Sequence, residues 1–265
     1  MAIEVATIKQ CCATFYGSDL ARMLLGDSFH PGGVSLTQRL GELLGLAPEM
    51  HVLDVAAGRG TSTLHLVKSF GCRVTGIDLS EANIRAARDA AAAEGISAHT
   101  DFILADAERL PFSDGSFDAI VCECAFCTFP GKDIAATEFA RVLKAGGGVG
   151  ISDLTRTAEP LSELQDLLAW IACIGDALPV QEYASILTRG GLAVEQMEAQ
   201  NGALAEMVRG VQSRLLGIEI ASGLGKLDIP GIDLSAAKKF AEAAAEAIRN
   251  GKLGYALLIA RSRTQ

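Results

Sequence analysis

The sequence predicts a doubly wound α/β fold on a mostly parallel, seven-stranded sheet. Three observations lead there. Short apolar runs alternate with helix-patterned segments from residue 49 to 155, as βαβ units with right-handed crossovers require. The first run leads directly into a turn containing two glycines, Asp54-Val55-Ala56-Ala57-Gly58-Arg59-Gly60. Acidic residues stand at the ends of the first three runs, at Asp54, Asp78 and Asp106.

The elements follow in order. Residues 6 to 25 carry apolar positions at helical spacing until His30-Pro31-Gly32-Gly33 interrupts them. Ser35 is placed to cap a second helix that runs to about Leu44. Residues 1 to 48 thus read as an N-terminal helical cap. HVLDVAA is the first strand, and residues 61 to 70 are the helix after it. CRVTGIDL is the second strand, and Ser80 caps the alanine-rich helix SEANIRAARDAAAAEG. DFILADA is the third strand. SFDAIVCECAF is the fourth, apolar enough for burial on both faces. Residues 131 to 144 form a helix ending at Gly146-Gly147-Gly148, and GVGISDL is the fifth strand. Residues 49 to 155 are the predicted cofactor-binding core.

Beyond Asp153 helices dominate. The exceptions are strands at residues 192 to 198 and 254 to 261, separated by a helical insertion at 201 to 250. Residues 156 to 265 are read as substrate-side helices, insertion and last strand of one domain covering 1 to 265.

Hydrophobic residues are 49% of the 265, enough for a sizeable core. A net charge of −9 argues against a nucleic-acid or anionic-membrane partner. MAIEVATIKQ has Glu4 where a secretory leader would be basic and then apolar. The best apolar stretch, 167 to 178, is too short to span a bilayer and contains Asp176. The expected setting is the cytoplasm and the expected partner a small molecule; oligomeric state leaves no mark. Seven cysteines in a reducing compartment are expected as thiols, with Cys72 a small core residue.

Ligands in such sheets sit outside the carboxyl ends of the strands. Asp78, twenty positions past Gly58, can accept both ribose hydroxyls of an adenosine, and Asp106 can accept from an adenine amino group. A dinucleotide loop would place a third glycine near position 63, where this chain has Thr63. A pyrophosphate would also be repelled by Asp54, which can instead hold the loop or meet the ammonium of a methionine moiety, directly or through water. The acidic residue and glycine-rich loop, together with VTGIDLS, DAERLPFSDGSFDAIV and RVLKAGGGVGISD, resemble the class I S-adenosylmethionine-dependent methyltransferases over residues 50 to 153. The resemblance implies the Rossmann-like methyltransferase fold and S-adenosylmethionine as cofactor. It implies a cofactor set of Asp54, Ala56, Gly58, Gly60, Asp78, Leu79, Asp106, Ala107 and Cys122. Ala56 stands where that family has glycine, a tolerable change if the residue keeps a negative φ.

The fourth strand ends in Cys122-Glu123-Cys124-Ala125-Phe126-Cys127, beside the expected methyl position. Thiolates are soft ligands for soft metals and metalloids. A structural zinc site needs a second half that this single CxxC lacks, so no structural metal is expected. The segment resembles the arsenite methyltransferases: Cys124 matches their cysteine, and Pro130 and Lys132 match the ending. Cys173-Ile174-Gly175 resembles the context of their other arsenic-binding cysteine, and Phe15-Tyr16-Gly17 their aromatic start. The resemblance implies that Cys124 and Cys173 bind a trivalent metalloid, arsenic or a related thiophilic element, as the catalytic pair for its methylation. Cys127, Cys12, Glu123 and Tyr16 are further substrate candidates, and a thiol reductant is a further partner. Glu123 replaces that family's asparagine and Gly131 its aspartate, Cys127 is extra, and the insertion has no counterpart.

An alternative is a methyltransferase acting on carbon, oxygen, nitrogen or sulfur, with structural cysteines. An oxygen or nitrogen acceptor needs a base, and Glu123, His30 and Asp153 are the candidates. Its Pro-Gly-Gly context makes His30 read as a loop or packing histidine. A third reading is a nucleotide-binding or metal-sensing protein without catalysis.

Overall fold

The computed structural model describes residues 14, 16, 18–26, 29–157, 174–223 and 233–263. The elements are α1 (Asp19–Leu25), α2 (Gly33–Leu44), β1 (His51–Val55), α3 (Thr61–Phe70), β2 (Arg73–Asp78), α4 (Glu81–Ala93) and β3 (Thr100–Leu104). There follow β4 (Phe117–Glu123), α5 (Lys132–Val142), β5 (Leu143–Arg156), α6 (Val180–Arg189), β6 (Leu192–Ala199), α7 (Asn201–Gly223), α8 (Leu234–Arg249) and β7 (Leu253–Ser262). Among the described residues no helix is long and apolar enough to cross a membrane.

The seven strands form one sheet in the order β3-β2-β1-β4-β5-β7-β6. The first five strands pair in parallel, and β7 runs antiparallel between β5 and β6. The order reverses between β1 and β4, so the ligand crevice is expected outside their carboxyl ends. β4 is buried almost throughout, as its continuous apolar run predicts.

Four expectations change. The helix expected over 6 to 25 is interrupted at Ser18, whose extended backbone and Oγ, accepting from Ala21 N–H at 3.2 Å, begin a new helix. Ser35 does not cap α2, which starts two residues earlier from Gly32 in the left-handed region. The third strand stops at Leu104, three residues early, because the chain turns at Asp106, which bridges Arg109. The glycine run lies inside β5 rather than ending a helix. A Cβ at Gly147 would meet the Asp118 carbonyl oxygen at 2.9 Å, and one at Gly148 would meet Leu44 Cδ2 at 2.8 Å. These glycines let β5 lie close to its neighbours. The expected insertion is two helices, α7 and α8, packed on each other and on β7.

Candidate active site

β1 carries Asp54 one residue before its end, and the chain turns through residues 56 to 60 into α3. The turn is fastened to β2. Ala57 N–H donates to the Ile77 carbonyl at 2.8 Å. Gly58 N–H donates to Asp78 Oδ2 at 2.9 Å. The other carboxylate oxygen, Oδ1, accepts from Ser80 N–H at 2.7 Å and from Asn83 Nδ2 at 3.3 Å. Burial pushes the Asp78 carboxyl above its ordinary range, against the pull of these donors.

Asp54 is 2% exposed. Thr63 Oγ1 donates to its Oδ2 at 2.5 Å. The residue standing where a dinucleotide loop would have glycine therefore holds the acid in place. Burial raises the Asp54 carboxyl to about 7, and the Thr63 hydrogen bond opposes the rise. Gly60 takes over the packing role. Its φ is +86°, and a Cβ there would meet Ala87 Cβ at 3.0 Å and the Phe102 ring at 3.2 Å. Gly60 seats α3 against its neighbours and does not itself line the cavity described next.

Ala56 departs from expectation, with φ at +59° rather than negative. The left-handed conformation costs an L-residue roughly 1–2 kcal/mol. Cys124, just past β4, has φ of +52°. These are the two non-glycine residues with positive φ among those described, and both line the same cavity. Strain of this kind concentrates at ligand sites.

The cavity runs across the carboxyl ends of β3, β2, β1 and β4. It encloses about 1150 Å³ of empty space, its open mouth included. On the β2–β3 side it is lined by Asp78, Leu79, Asn83, Asp106 and Ala107. Leu79 is a large apolar side chain left 44% exposed, available to cover a flat ring. Asp106 Oδ1 accepts from Glu108 N–H at 3.0 Å. On the β4 side the lining is Tyr16, Phe29, His30, Glu123, Cys124 and Phe129. Ala56, Gly58 and Arg59 line it along the loop between. Four carboxyls, at Asp54, Asp78, Asp106 and Glu123, give the space a negative lining that suits a cationic ligand.

At the β4 side Glu123 is 9% exposed, and its Oε2 gathers donors from three segments. Ser62 Oγ donates at 2.6 Å and Thr37 Oγ1 at 2.9 Å. His30 Nε2 stands 3.2 Å from Ser62 Oγ and 3.6 Å from Glu123 Oε2. His30, a buried histidine of the loop before α2 as its sequence context suggested, is also coupled to a buried carboxyl on the cavity wall. Behind Glu123, Ser152 Oγ reaches Oε1 at 3.5 Å and lies 2.9 Å from Tyr255 Oη.

The cysteine cluster separates. Cys124 lines the cavity, whereas Cys122 and Cys127 are fully buried core side chains that do not line it. The expected cofactor residue Cys122 and the expected substrate thiol Cys127 thus stand off the cavity wall. Successive strand residues point to opposite faces, so Cys122 turns away as Glu123 turns in. A 3₁₀ turn, Phe126–Thr128, then rotates Cys127 inward. Burial holds the Cys122 thiol well above its ordinary range, so it stays protonated. Asp153, expected as a candidate base, does not line the cavity. It is fully buried and accepts from Cys127 N–H and Leu154 N–H, each at 2.8 Å. Cys12 and Cys173, with Phe15 and Gly17, lie outside the described residues. Among the described residues no three His, Cys, Asp or Glu side chains converge as a metal site.

Sequence reasoning missed Phe29, Thr37, Arg59, Ser62, Asn83 and Phe129. Arg59 was legible as a cation inside the loop. Thr37 and Ser62 were not, since a hydroxyl on a buried helix face carries no marker of its target.

Comparison with known proteins agrees with this geometry. A methyltransferase-domain family matches residues 52–147. A ubiquinone/menaquinone biosynthesis C-methyltransferase of Burkholderia cenocepacia, UbiE, is 34% identical over 171 residues, covering 64% of this chain and 68% of that protein. The methyltransferase GfsG of Streptomyces halstedii is 32% identical over 151 residues, covering 52% of this chain. The chain spans about half of that relative's length, 54%. Two solved structures share the fold. Geranyl diphosphate C-methyltransferase of Streptomyces coelicolor has a TM-score of 0.74 at 17% identity, covering 96% of this chain and 97% of that one. The cyclase SpnF has a TM-score of 0.77 at 22% identity, covering 100% and 98%. At such identities the likeness is one of fold, and a cyclase shares it. The cofactor of the matched family is S-adenosylmethionine, and the acid-lined cavity with its adenosine-side acceptors fits that cation. By its sequence kinship with the Burkholderia enzyme over two thirds of that enzyme's length, the chain belongs to the class I S-adenosylmethionine-dependent methyltransferases.

Proposed function

We propose that this chain methylates a small, largely apolar organic acceptor at carbon or oxygen, using Glu123 and His30 to manage the acceptor's proton. One observation carries the reading: a buried carboxyl and an imidazole, joined through Ser62, stand on the cavity wall. Tyr16, Phe29 and Phe129 supply aromatic surface on the same side. Bound there, S-adenosylmethionine supplies an electrophilic methyl on a sulfonium. Asp54, Asp78, Asp106 and Arg59 are the residues that would hold it. Glu123 accepts the acceptor's proton and His30 stabilises the resulting charge arrangement through Ser62. Positioned acid–base groups of this kind contribute about 10²–10⁴-fold.

The test is Glu123→Gln, which keeps the side chain's size and one acceptor oxygen. Organic acceptors with acidic C–H or O–H groups are screened with methyl-labelled cofactor. The expected result is at least a hundredfold fall in kcat with S-adenosylhomocysteine affinity unchanged. Full activity in Glu123→Gln would end the base assignment.

A second reading, methylation of trivalent arsenic, draws support from Cys124 on the cavity wall. It needs further thiolates, and Cys122 and Cys127 are turned away, leaving Cys12 and Cys173 to supply them. Arsenite that takes the label, with Cys124→Ser inactive and Glu123→Gln unaffected, would establish this reading over the first.

A further inference from the structure

Asn83 lines the cavity at 1% exposure, in the first turn of α4. Its Nδ2 donates to Asp78 Oδ1 at 3.3 Å. This fixes which end of the carboxamide is which, since the oxygen would be repelled by the carboxylate. Its Oδ1 has no hydrogen-bond partner, the one such buried side-chain atom among the described residues. A buried acceptor left unpaired is costly, and native structures rarely keep one without a use.

Beside it, Asp78 is already crowded. A carboxylate offers about four lone-pair positions. Gly58 N–H, Ser80 N–H and Asn83 Nδ2 take three of them, and Leu79 N–H is a further donor. A ribose brings two hydroxyl donors to this side of the cavity. Asp78 alone has no room for both while it holds its protein partners.

From this we infer that Asn83 is a second ribose-binding residue, its Oδ1 accepting one hydroxyl while Asp78 accepts the other. The carboxamide torsion is soft, so the group can turn its oxygen toward the ligand. Nδ2 then leaves Asp78 Oδ1, and a ribose hydroxyl takes the vacated position. The orphaned oxygen gains its partner and the carboxylate exchanges one donor for another, at the expense of the Nδ2 hydrogen bond to Asp78. The same residue therefore weakens the ligand-free protein and strengthens the complex. This rests on the adenosine reading of the β2–β3 side.

Asn83→Leu tests it, with Asn83→Met as the second variant. Thermal melts and calorimetric titrations are run with S-adenosylhomocysteine and with its 2′-deoxy and 3′-deoxy analogues. The expected result has opposite signs. The ligand-free variant melts at or above the wild-type temperature, while S-adenosylhomocysteine affinity falls about tenfold or more. One deoxy analogue, lacking the hydroxyl that Asn83 receives, binds wild type and variant equally. An equal loss for all three ligands would overturn the assignment, as would no loss for any. Failure of both variants to fold would also overturn it, because an unpaired oxygen cannot be what holds the fold. If wild type binds the parent and both analogues alike, the adenosine reading of this side fails with it. If wild type discriminates and the variants discriminate equally, the role of Asn83 alone fails.

Discussion

The two sides of the cavity are built on different principles. On the β2–β3 side the polar groups come from successive strand ends and are tied to one another by backbone N–H groups, as Asp78 is to Gly58 and Ser80. On the β4 side they come from segments far apart in the chain. Glu123, Ser62, Thr37 and His30 meet only because α2, α3 and β4 pack together. The first side is a property of the βαβ unit. The second is a property of this chain. A shared cofactor needs the first, and acceptor choice is free to vary through the second.

The sharpest way to test that division is Asp78→Ala. It removes the acceptor of the loop as well as of a ribose, and hydrogen bonds to charged groups are worth about 1.5–3 kcal/mol each. S-adenosylhomocysteine affinity should fall more than a hundredfold by calorimetry, the mirror image of Glu123→Gln. Retained affinity would mean that the two sides are not divided as described.

Next in size is a dependence on pH. Asp54 rises from an ordinary 3.8 to about 7 in the folded protein. Its raised value favours the protonated folded state, so its stabilising contribution is complete below pH 3.8 and is lost as pH climbs through about 7. The melting temperature of the ligand-free protein should decline between about pH 4 and 7 and level off above that. A ligand carrying an ammonium favours the ionised acid. Its stabilising shift should therefore grow over the same window, and Asp54→Asn should flatten both trends. A ligand shift that shrinks as pH rises would place the ammonium elsewhere.

The smallest expected effect is at Ala56. Glycine removes the left-handed penalty but adds unfolded-state entropy. Ala56→Gly should gain about 0.5–1 kcal/mol in a denaturant titration, with cofactor affinity within twofold. Loss of stability would show that the methyl group is packed rather than strained.

The strands and the acids were legible in the sequence because strand burial and strand-end placement are local patterns. Asp54, Asp78 and Asp106 line the cavity as strand-end placement would put them, and Leu79 and Ala107 as the family resemblance implied. Ala56 was misjudged because φ is set by the loop's path, which no spacing records. The cysteine cluster was misjudged because closeness in sequence is not closeness in direction. Cys122, Cys124 and Cys127 span six positions, yet only Cys124 reaches the cavity. The link from His30 to Ser62 and Glu123 was not legible, because those partners lie 32 and 93 positions away by their numbers.

The placement of β7 bears on how the chain comes to be folded at all. β6 meets the sheet only through β7, and β5 has β7 as its partner on that side. The β5–β7 register joins Gly148 to Arg261. While the chain is being synthesised, β5 must present a bare hydrogen-bonding edge until more than a hundred further residues have emerged, as that pairing requires. Unpaired edges are templates for aggregation, and pairings this distant form slowly. The last strand is therefore the latch of the sheet. Chaperone demand and sensitivity to truncation should concentrate there rather than at the site where chemistry occurs.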